Sequence, residues 1–138
     1  MHMADRYHPG MPEAEKITIN MNVVDLGKVD LLVEEGFYSN RTDFIRTAIR
    51  NQLNRHDDEV RHSMTRRELA IGVISYDRAE LEWHAAAGER LTIAITGLLV
   101  IASDVSPELA RQTIESIKIV GVFRASKAVK DALADRTH

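Results

Sequence analysis

Histidine, serine and carboxylate side chains are the groups through which this chain could catalyse a reaction or bind a metal ion. Six histidines suggest a metal site, but His56 and His62 are six residues apart and do not share one face of a helix. His84 stands alone between Trp83 and a run of alanines. With no cysteine in the chain, neither a thiolate ligand nor a thiol nucleophile is present. The histidines are therefore interpreted as surface residues, and no metal is expected.

Sequence patterns typical of enzymes are also missing. The chain contains no glycine-rich phosphate loop, no G-x-S-x-G nucleophile elbow and no carboxylate pair supported by basic residues. Ser39, Ser106 and Ser126 each precede a helix-like segment and are explained as N-caps rather than nucleophiles. The sequence predicts a protein that is not an enzyme and needs no cofactor.

A short extended segment near the N-terminus remains as a candidate for chemistry. Along EKITINMN, residues 15–22, apolar and polar side chains alternate strictly, as in a strand with one buried and one exposed face. The apolar face comprises Ile17, Ile19 and Met21, and the polar face comprises Lys16, Thr18, Asn20 and Asn22. No second strand of matching pattern follows within hairpin reach, so this strand has no backbone partner in its own chain.

Two helices are predicted after the strand. Asp25 is the candidate N-cap of the first helix, and Gly36 is placed to end it. The second helix begins at Ser39 or Asn40. The apolar stripes comprise Leu26, Val29, Leu32 and Val33 in the first helix, and Phe44, Ile45, Ala48, Ile49 and Leu53 in the second.

One strand and two short helices bury too little apolar surface to be stable alone. A second copy of the chain removes both problems, because two antiparallel strands supply each other's hydrogen bonds and four helices cover their apolar faces. The N-terminal part is therefore predicted to dimerise through an intermolecular antiparallel ribbon.

Three stretches of this part resemble a known family. EKITINMN, the helix end EEGFYSN and the run RTDFIRTAIRNQL resemble the ribbon-helix-helix family of bacterial DNA-binding proteins, of the Arc, MetJ and CopG type. The resemblance covers residues 15–54 and is most specific over residues 36–46. It implies an obligate dimer whose two-stranded ribbon enters the major groove of DNA.

The resemblance also implies which residues contact DNA. The base contacts would be Lys16, Thr18 and Asn20 of each chain, and the phosphate contacts would be Ser39, Asn40 and Arg41. Lysine can donate to guanine, asparagine can pair with adenine, and the N-terminus of a helix attracts anions. Without the resemblance, the polar row would be an ordinary solvated face and Ser39–Asn40 a helix cap alone.

The C-terminal half contains a repeat. Residues 70–75, 95–100 and 119–124 share an apolar, any, glycine, apolar, apolar pattern, with glycines at intervals of 25 and 24 residues. Each segment is followed by a predicted helix, over residues 78–87, 107–116 and 127–134, with Asp77, Ser106 and Ser126 as N-caps. The pattern predicts three strand-helix units with parallel strands, stacked as a short solenoid or closed as an ordinary three-stranded α/β unit.

The whole chain is thus predicted to be α+β, with a flexible arm over residues 1–14, a ribbon-helix-helix domain over 15–55, a linker or helix extension over 56–67, and a repeat domain over 68–138. Neither terminal strand of the repeat, Ile71–Ser75 or Lys118–Arg124, has an obvious polar cap. We therefore expect the repeat domain to join subunits into a homodimer or higher oligomer.

Charge limits how the protein could bind nucleic acid. The 138-residue chain has a formal net charge of −3, and residues 1–60 hold seven Lys or Arg against eleven Asp or Glu. Any contact with double-stranded DNA must therefore be local rather than a general positive field. The N-terminus lacks the pattern of a signal peptide and no apolar run is long enough to span a membrane, which predicts a cytoplasmic protein with no membrane partner.

The sequence as a whole favours a sequence-specific DNA-binding transcriptional regulator that acts as a repressor. Two alternatives remain open. The first is an antitoxin whose C-terminal half covers a toxin protein, and the second is a self-assembling scaffold that uses the ribbon only to dimerise.

Overall fold

The computed structural model describes residues 14–138. The arm predicted for residues 1–14 therefore lies outside the described residues, apart from Ala14. The chain divides into two compact units. The helical unit is Lys16–Ser63, and the sheet unit is Met64–His138 together with Ala14 and Glu15. The helical unit is thus inserted into the sequence of the sheet unit.

Three helices follow one another in the first half of the described chain: α1 (Val23–Glu34), α2 (Arg41–Arg55) and α3 (Asp57–Arg67). Residues 56–67, for which the sequence left a linker and a helix extension open, are helical from Asp57 onward. No helix in residues 14–138 combines the length and apolar character that a bilayer crossing requires.

The ends of α1 are fixed by local hydrogen bonds. The Asn22 side chain accepts from the amides of Val24 and Asp25, at 2.8 and 3.3 Å. The expectation that Asp25 caps this helix is wrong, because Asn22 has the extended backbone of an N-cap and Asp25 already lies in the first turn. At the other end Gly36, at φ +85°, ends the helix as predicted.

The sheet unit contains β1 (Ala70–Tyr76), α4 (Arg78–Ala86), β2 (Leu91–Ile101), α5 (Pro107–Thr113), β3 (Ile114–Arg124), α6 (Lys127–Ala132) and a 3₁₀ turn (Ala134–Arg136). The three strands are parallel, as predicted, in the order β1-β2-β3. The predicted caps are present at Asp77, Ser106 and Ser126.

Several predicted boundaries in this unit are wrong. Helix α5 ends at Thr113 instead of residue 116, because Ile114 is already extended and begins β3. Ile117 is therefore a buried strand residue rather than a member of a helical stripe. β2 and β3 likewise begin several residues before the repeated motif. The spacing of residues 109, 113 and 117 fits a helix, and the burial of Ile114 and Ile117 under the helix layer decides for the strand.

One face of the sheet carries the hydrophobic core. Helices α4, α5 and α6 form a layer in which α5 packs between the other two. The core joins this layer to the inward side chains of the strands; its members are Tyr76, Leu81, Ile93, Ile95, Leu99, Ile101, Val105, Ala110, Ile114, Ile117, Val129 and Leu133. This cluster gives the sheet unit a core of its own.

A row of three glycines crosses the sheet. Gly72, Gly97 and Gly121 are paired in register and have φ values of +145°, +138° and +127°. A Cβ at Gly97 would lie 2.2 Å from the Gly72 carbonyl oxygen, and one at Gly121 would lie 2.2 Å from the Gly97 oxygen. The strands can approach in this geometry only because these residues lack a side chain.

The two edges of the sheet differ. On the outer side of β3, the His138 amide donates to the Ile117 carbonyl at 2.8 Å, and the Ile119 amide donates to the His138 carbonyl at 3.3 Å. Thr137 forms a parallel bridge with Ile117. Within residues 14–138, no strand lies on the outer side of β1.

Candidate nucleic-acid interface

Residues 16–22, here called the ribbon segment, form no regular secondary structure within the single chain. No β-ladder involving them occurs in the described residues, since the only sheet contains β1, β2 and β3. Ile17 and Ile19 are 71% and 59% exposed, although the alternating pattern predicts that they are buried. A strand requires a ladder partner, and one chain supplies none here.

The helices of this unit also leave apolar side chains in solvent. Val29 is the one buried residue of α1, and neither α2 nor α3 buries any residue. The exposed apolar side chains of α1 and α2 are Val23, Val24, Leu31, Ile49 and Leu53. The predicted stripes are thus present as helical faces, but a single helical unit does not cover them.

Side chains and backbone amides meet at the N-terminus of α2. The Asn40 Oδ1 atom accepts from the Asp43 amide at 2.8 Å, and the Asp43 carboxylate accepts from the Ser39 amide at 2.9 Å. In the described part of the chain, no acceptor is present for the amides of Arg41 and Thr42. These two donors point along the positive end of the helix dipole, where an anion is favoured.

The Arg41 side chain is already paired in the single chain. Its Nε and Nη2 atoms donate to the two carboxylate oxygens of Asp30, each at 2.8 Å. This bidentate bond lowers the pKa of Asp30 and raises the pKa of Arg41 relative to their ordinary values. Asp30 lies on α1, so the pair also ties the start of α2 to the preceding helix.

The ribbon segment is anchored on its N-terminal side. The Arg124 guanidinium on β3 donates to the Ala14 carbonyl at 2.8 Å and to the Glu15 carboxylate at 3.2 Å. All three residues belong to the sheet unit, and Lys16 is the next residue along the chain. The backbone immediately before the ribbon segment therefore has a defined position on the sheet unit.

The six predicted DNA contacts form two separate groups. Lys16, Thr18 and Asn20 are exposed along the ribbon segment, and Ser39, Asn40 and Arg41 surround the start of α2. No hydrogen bond or ion pair joins one group to the other within residues 14–138. Every one of these side chains is accessible to a ligand, although Arg41 would have to share its guanidinium with Asp30.

The sequence reasoning missed three participants at this surface. Asp43 could have been recognised, because an acidic residue three positions after an N-cap is a capping signal. The partnership of Asp30 with Arg41 and that of Glu15 with Arg124 join residues 11 and 109 positions apart. No sequence period relates residues at such separations.

Metal binding has no structural candidate in the described residues: no three His, Asp or Glu side chains among residues 14–138 come together as ligands. The histidine with the best-defined environment is His84, whose Nδ1 atom lies 2.9 Å from the Glu89 carboxylate.

An unpaired N-terminal segment followed by two helices with uncovered apolar faces describes a subunit of an intertwined dimer. Comparison with protein families gives the same class: residues 12–130 match the ribbon-helix-helix transcriptional regulator family. The chain belongs to this family, whose members regulate transcription, bind DNA and dimerise. Because the match continues to residue 130, the family model includes most of the sheet unit as well as the helical unit. Searches of curated proteins and of solved structures gave no match.

Proposed function

We propose that the protein is a homodimeric, sequence-specific repressor that reads the major groove with the ribbon segments of two chains. The observation that carries this proposal is the exposed ribbon segment, in which Ile17 and Ile19 have no cover within residues 14–138. Antiparallel pairing with a second chain would bury these side chains against the exposed apolar faces of α1 and α2, and would turn the polar row outward.

Base recognition is assigned to the polar row. Lys16, Thr18 and Asn20 are exposed and alternate with the apolar residues, so pairing of two ribbon segments would display six such side chains on one surface. Lysine would donate to guanine O6 or N7, asparagine would form two hydrogen bonds with adenine, and threonine offers a hydroxyl and a methyl group.

Phosphate binding is assigned to the start of α2. The amides of Arg41 and Thr42 would donate to a phosphate oxygen, with Ser39 and Asn40 as neighbouring polar groups and Asn40 also holding the helix end in place. The carboxylate of Asp43 lies at the same helix end and opposes an anion. Affinity would therefore depend on the ribbon more than on this site.

The sheet unit is assigned the joining of subunits. Two ribbon dimers held together would bind neighbouring half-sites with a high effective concentration, which offsets the small number of positive groups in each reading head. Occupation of an operator in this way would block transcription, and DNA binding implies a cytoplasmic location.

The acidic character of the first sixty residues favours one second candidate, a scaffold in which the ribbon only dimerises the chain. Asp43 at the helix start and the Asp30–Arg41 pair both reduce the positive potential available to a phosphate. This candidate predicts the same dimer without affinity for DNA.

A gel-shift experiment against genomic fragments at two salt concentrations separates these functions. We expect Lys16→Ala to weaken binding to the selected fragment by about 5- to 150-fold, the equivalent of about 1–3 kcal/mol for a base contact. Thr18→Ala should weaken the same fragment, and Asn20→Ala should relax sequence preference. Lys127→Ala, which removes one exposed lysine from the sheet unit, is the control matched in charge.

The proposal fails if the wild-type protein retards no fragment at low salt. It fails equally if Lys16→Ala and Lys127→Ala bind the selected fragment with the same affinity, because binding would then reflect charge alone.

A further inference from the structure

The strand at one edge of the sheet unit has none of the features that normally protect an edge. β1 has the sequence AIGVISY, with no charged residue and no proline, and Ile71 is 66% exposed. Edge strands are usually blocked by charges, prolines, bulges or covering segments, because their free backbone groups pair readily with another chain. Among residues 14–138 no strand covers this edge.

The helix layer is uncovered at the same end of the unit. Helix α4 lies beyond α5 in the order α4-α5-α6, just as β1 lies beyond β2 in the sheet. Trp83, the only tryptophan of the chain, projects from α4 and is 64% exposed. We call β1 and α4 together the open end of the sheet unit. Apolar side chains are thus exposed in both of its layers.

The opposite end is partly occupied by the chain itself. His138 bonds to the backbone of Ile117 and Ile119 on the outer side of β3, and Thr137 pairs with the same strand. A head-to-tail contact, in which β3 of one copy meets β1 of the next, would have to displace these bonds. The structure offers one strand edge that is uncovered along its first residues, at β1.

We propose that the open end binds the open end of a second copy of this chain, with the two β1 strands antiparallel about a twofold axis. The proposal deepens the joining role assigned above to the sheet unit and rests on that role. A register centred on Val73 places Ile71 opposite Ser75 of the second copy, so no charges meet. The two α4 helices then lie side by side, and Trp83 is covered in the layer above the joined sheets.

The absence of charge from β1 favours a second copy over an unrelated partner. A strand without charged groups offers no electrostatic selection for a different protein, whereas its own sequence matches it in length and polarity. A contact that pairs the same surface on both copies also uses up that surface. Association through the open end therefore stops at pairs of sheet units and builds no filament.

Site-specific cross-linking tests this contact directly, because the natural chain contains no cysteine. Val73 and Val122 lie in one row across the sheet, on β1 and β3, and both are half-buried, so Val73→Cys and Val122→Cys are matched variants. Each full-length variant is treated with a short bifunctional maleimide in the absence of DNA, and covalent dimer is measured on a denaturing gel.

We expect at least about tenfold more covalent dimer from Val73→Cys. Opposed residues of paired strands have Cβ atoms roughly 5 Å apart, whereas the two copies of residue 122 would be roughly 24 Å apart, five strand spacings. Cross-linking of both variants alone would indicate face-to-face sheet packing and overturn the proposal. A product formed only when the two variants are mixed would indicate head-to-tail contact and overturn it as well, as would no product at all.

Tryptophan fluorescence provides a second measurement on the same full-length chain. Ile71→Lys and Val120→Lys place a charge in one row of the sheet, at opposite edges. The proposal requires that Ile71→Lys shifts the Trp83 emission to longer wavelength, with far-UV circular dichroism unchanged, and that Val120→Lys does not. Equal emission from the two variants would contradict it.

These outcomes are independent of DNA recognition. Lys16→Ala should abolish selective gel retardation while leaving the Val73→Cys cross-link intact. Loss of DNA binding with a retained cross-link would refute the repressor and leave the open-end contact standing. Normal DNA binding without a cross-link would do the reverse.

Discussion

Replacing Gly97 with alanine tests the physical origin of the glycine row. At φ +138° a side chain strains the backbone by about 1–3 kcal/mol. The new Cβ would also lie 2.2 Å from the Gly72 carbonyl oxygen, so β1 and β2 must separate and weaken backbone hydrogen bonds worth about 1 kcal/mol each. Together these effects should lower the free energy of unfolding of the sheet unit by about 3–5 kcal/mol.

Two other glycines separate strain from collision. Gly88, at φ +70°, has open space around its missing Cβ, so Gly88→Ala should cost only about 1–2 kcal/mol. Gly27 lies inside α1 with nothing within 4 Å, and Gly27→Ala should stabilise the helix by about 0.5–1 kcal/mol. Urea unfolding followed by Trp83 fluorescence measures the sheet unit, and circular dichroism measures both units. If Gly97→Ala unfolds at the same urea concentration as Gly88→Ala, the close approach of the strands does not contribute and the reasoning is refuted.

Three further substitutions test the local contacts. Asn40→Ala removes the cap of α2 and should destabilise the helical unit by about 1 kcal/mol in thermal unfolding, with Asn40→Asp retaining most of the stability. Asp30→Asn breaks the pair with Arg41; because pairing lowers the pKa of Asp30, its stabilisation is fully present above the ordinary value of 3.8 and is lost as the pH falls through the lowered value. The difference in melting temperature between Asp30→Asn and the wild type should therefore vanish in acid, and a difference that persists there would contradict the assignment. Arg136→Ala removes the mostly buried guanidinium that donates to the Ile114 carbonyl at 2.8 Å, and should cost about 1.5–3 kcal/mol in urea unfolding.

Helix starts were predictable where a side chain announces them. Asn40, Asp77, Ser106 and Ser126 cap the helices that the sequence assigns to them, because capping depends on residues within three positions. The first helix shows the limit of this reasoning. Asn22 and Asp25 are both good N-caps, and which one acts depends on where the extended ribbon segment ends.

Strand lengths and long-range pairs were less accessible. The repeated motif locates the centre of each strand, but the early start of β3 at Ile114 depends on burial beneath the helix layer. The pairs Asp30–Arg41 and Glu15–Arg124 depend on how elements fold back on one another. The ribbon itself remains a prediction, since one chain cannot display a ladder that requires two.

The clamp of Arg124 on Glu15 has a consequence for the order of events during protein synthesis. The two residues are 109 positions apart, so at bacterial translation rates about 5–20 s separate their appearance. Residues 16–63 leave the ribosome within that interval, while the anchor for the preceding backbone does not yet exist. Nascent chains can therefore meet through their N-terminal halves first, and the later completion of β3 fastens a partnership that has already been chosen.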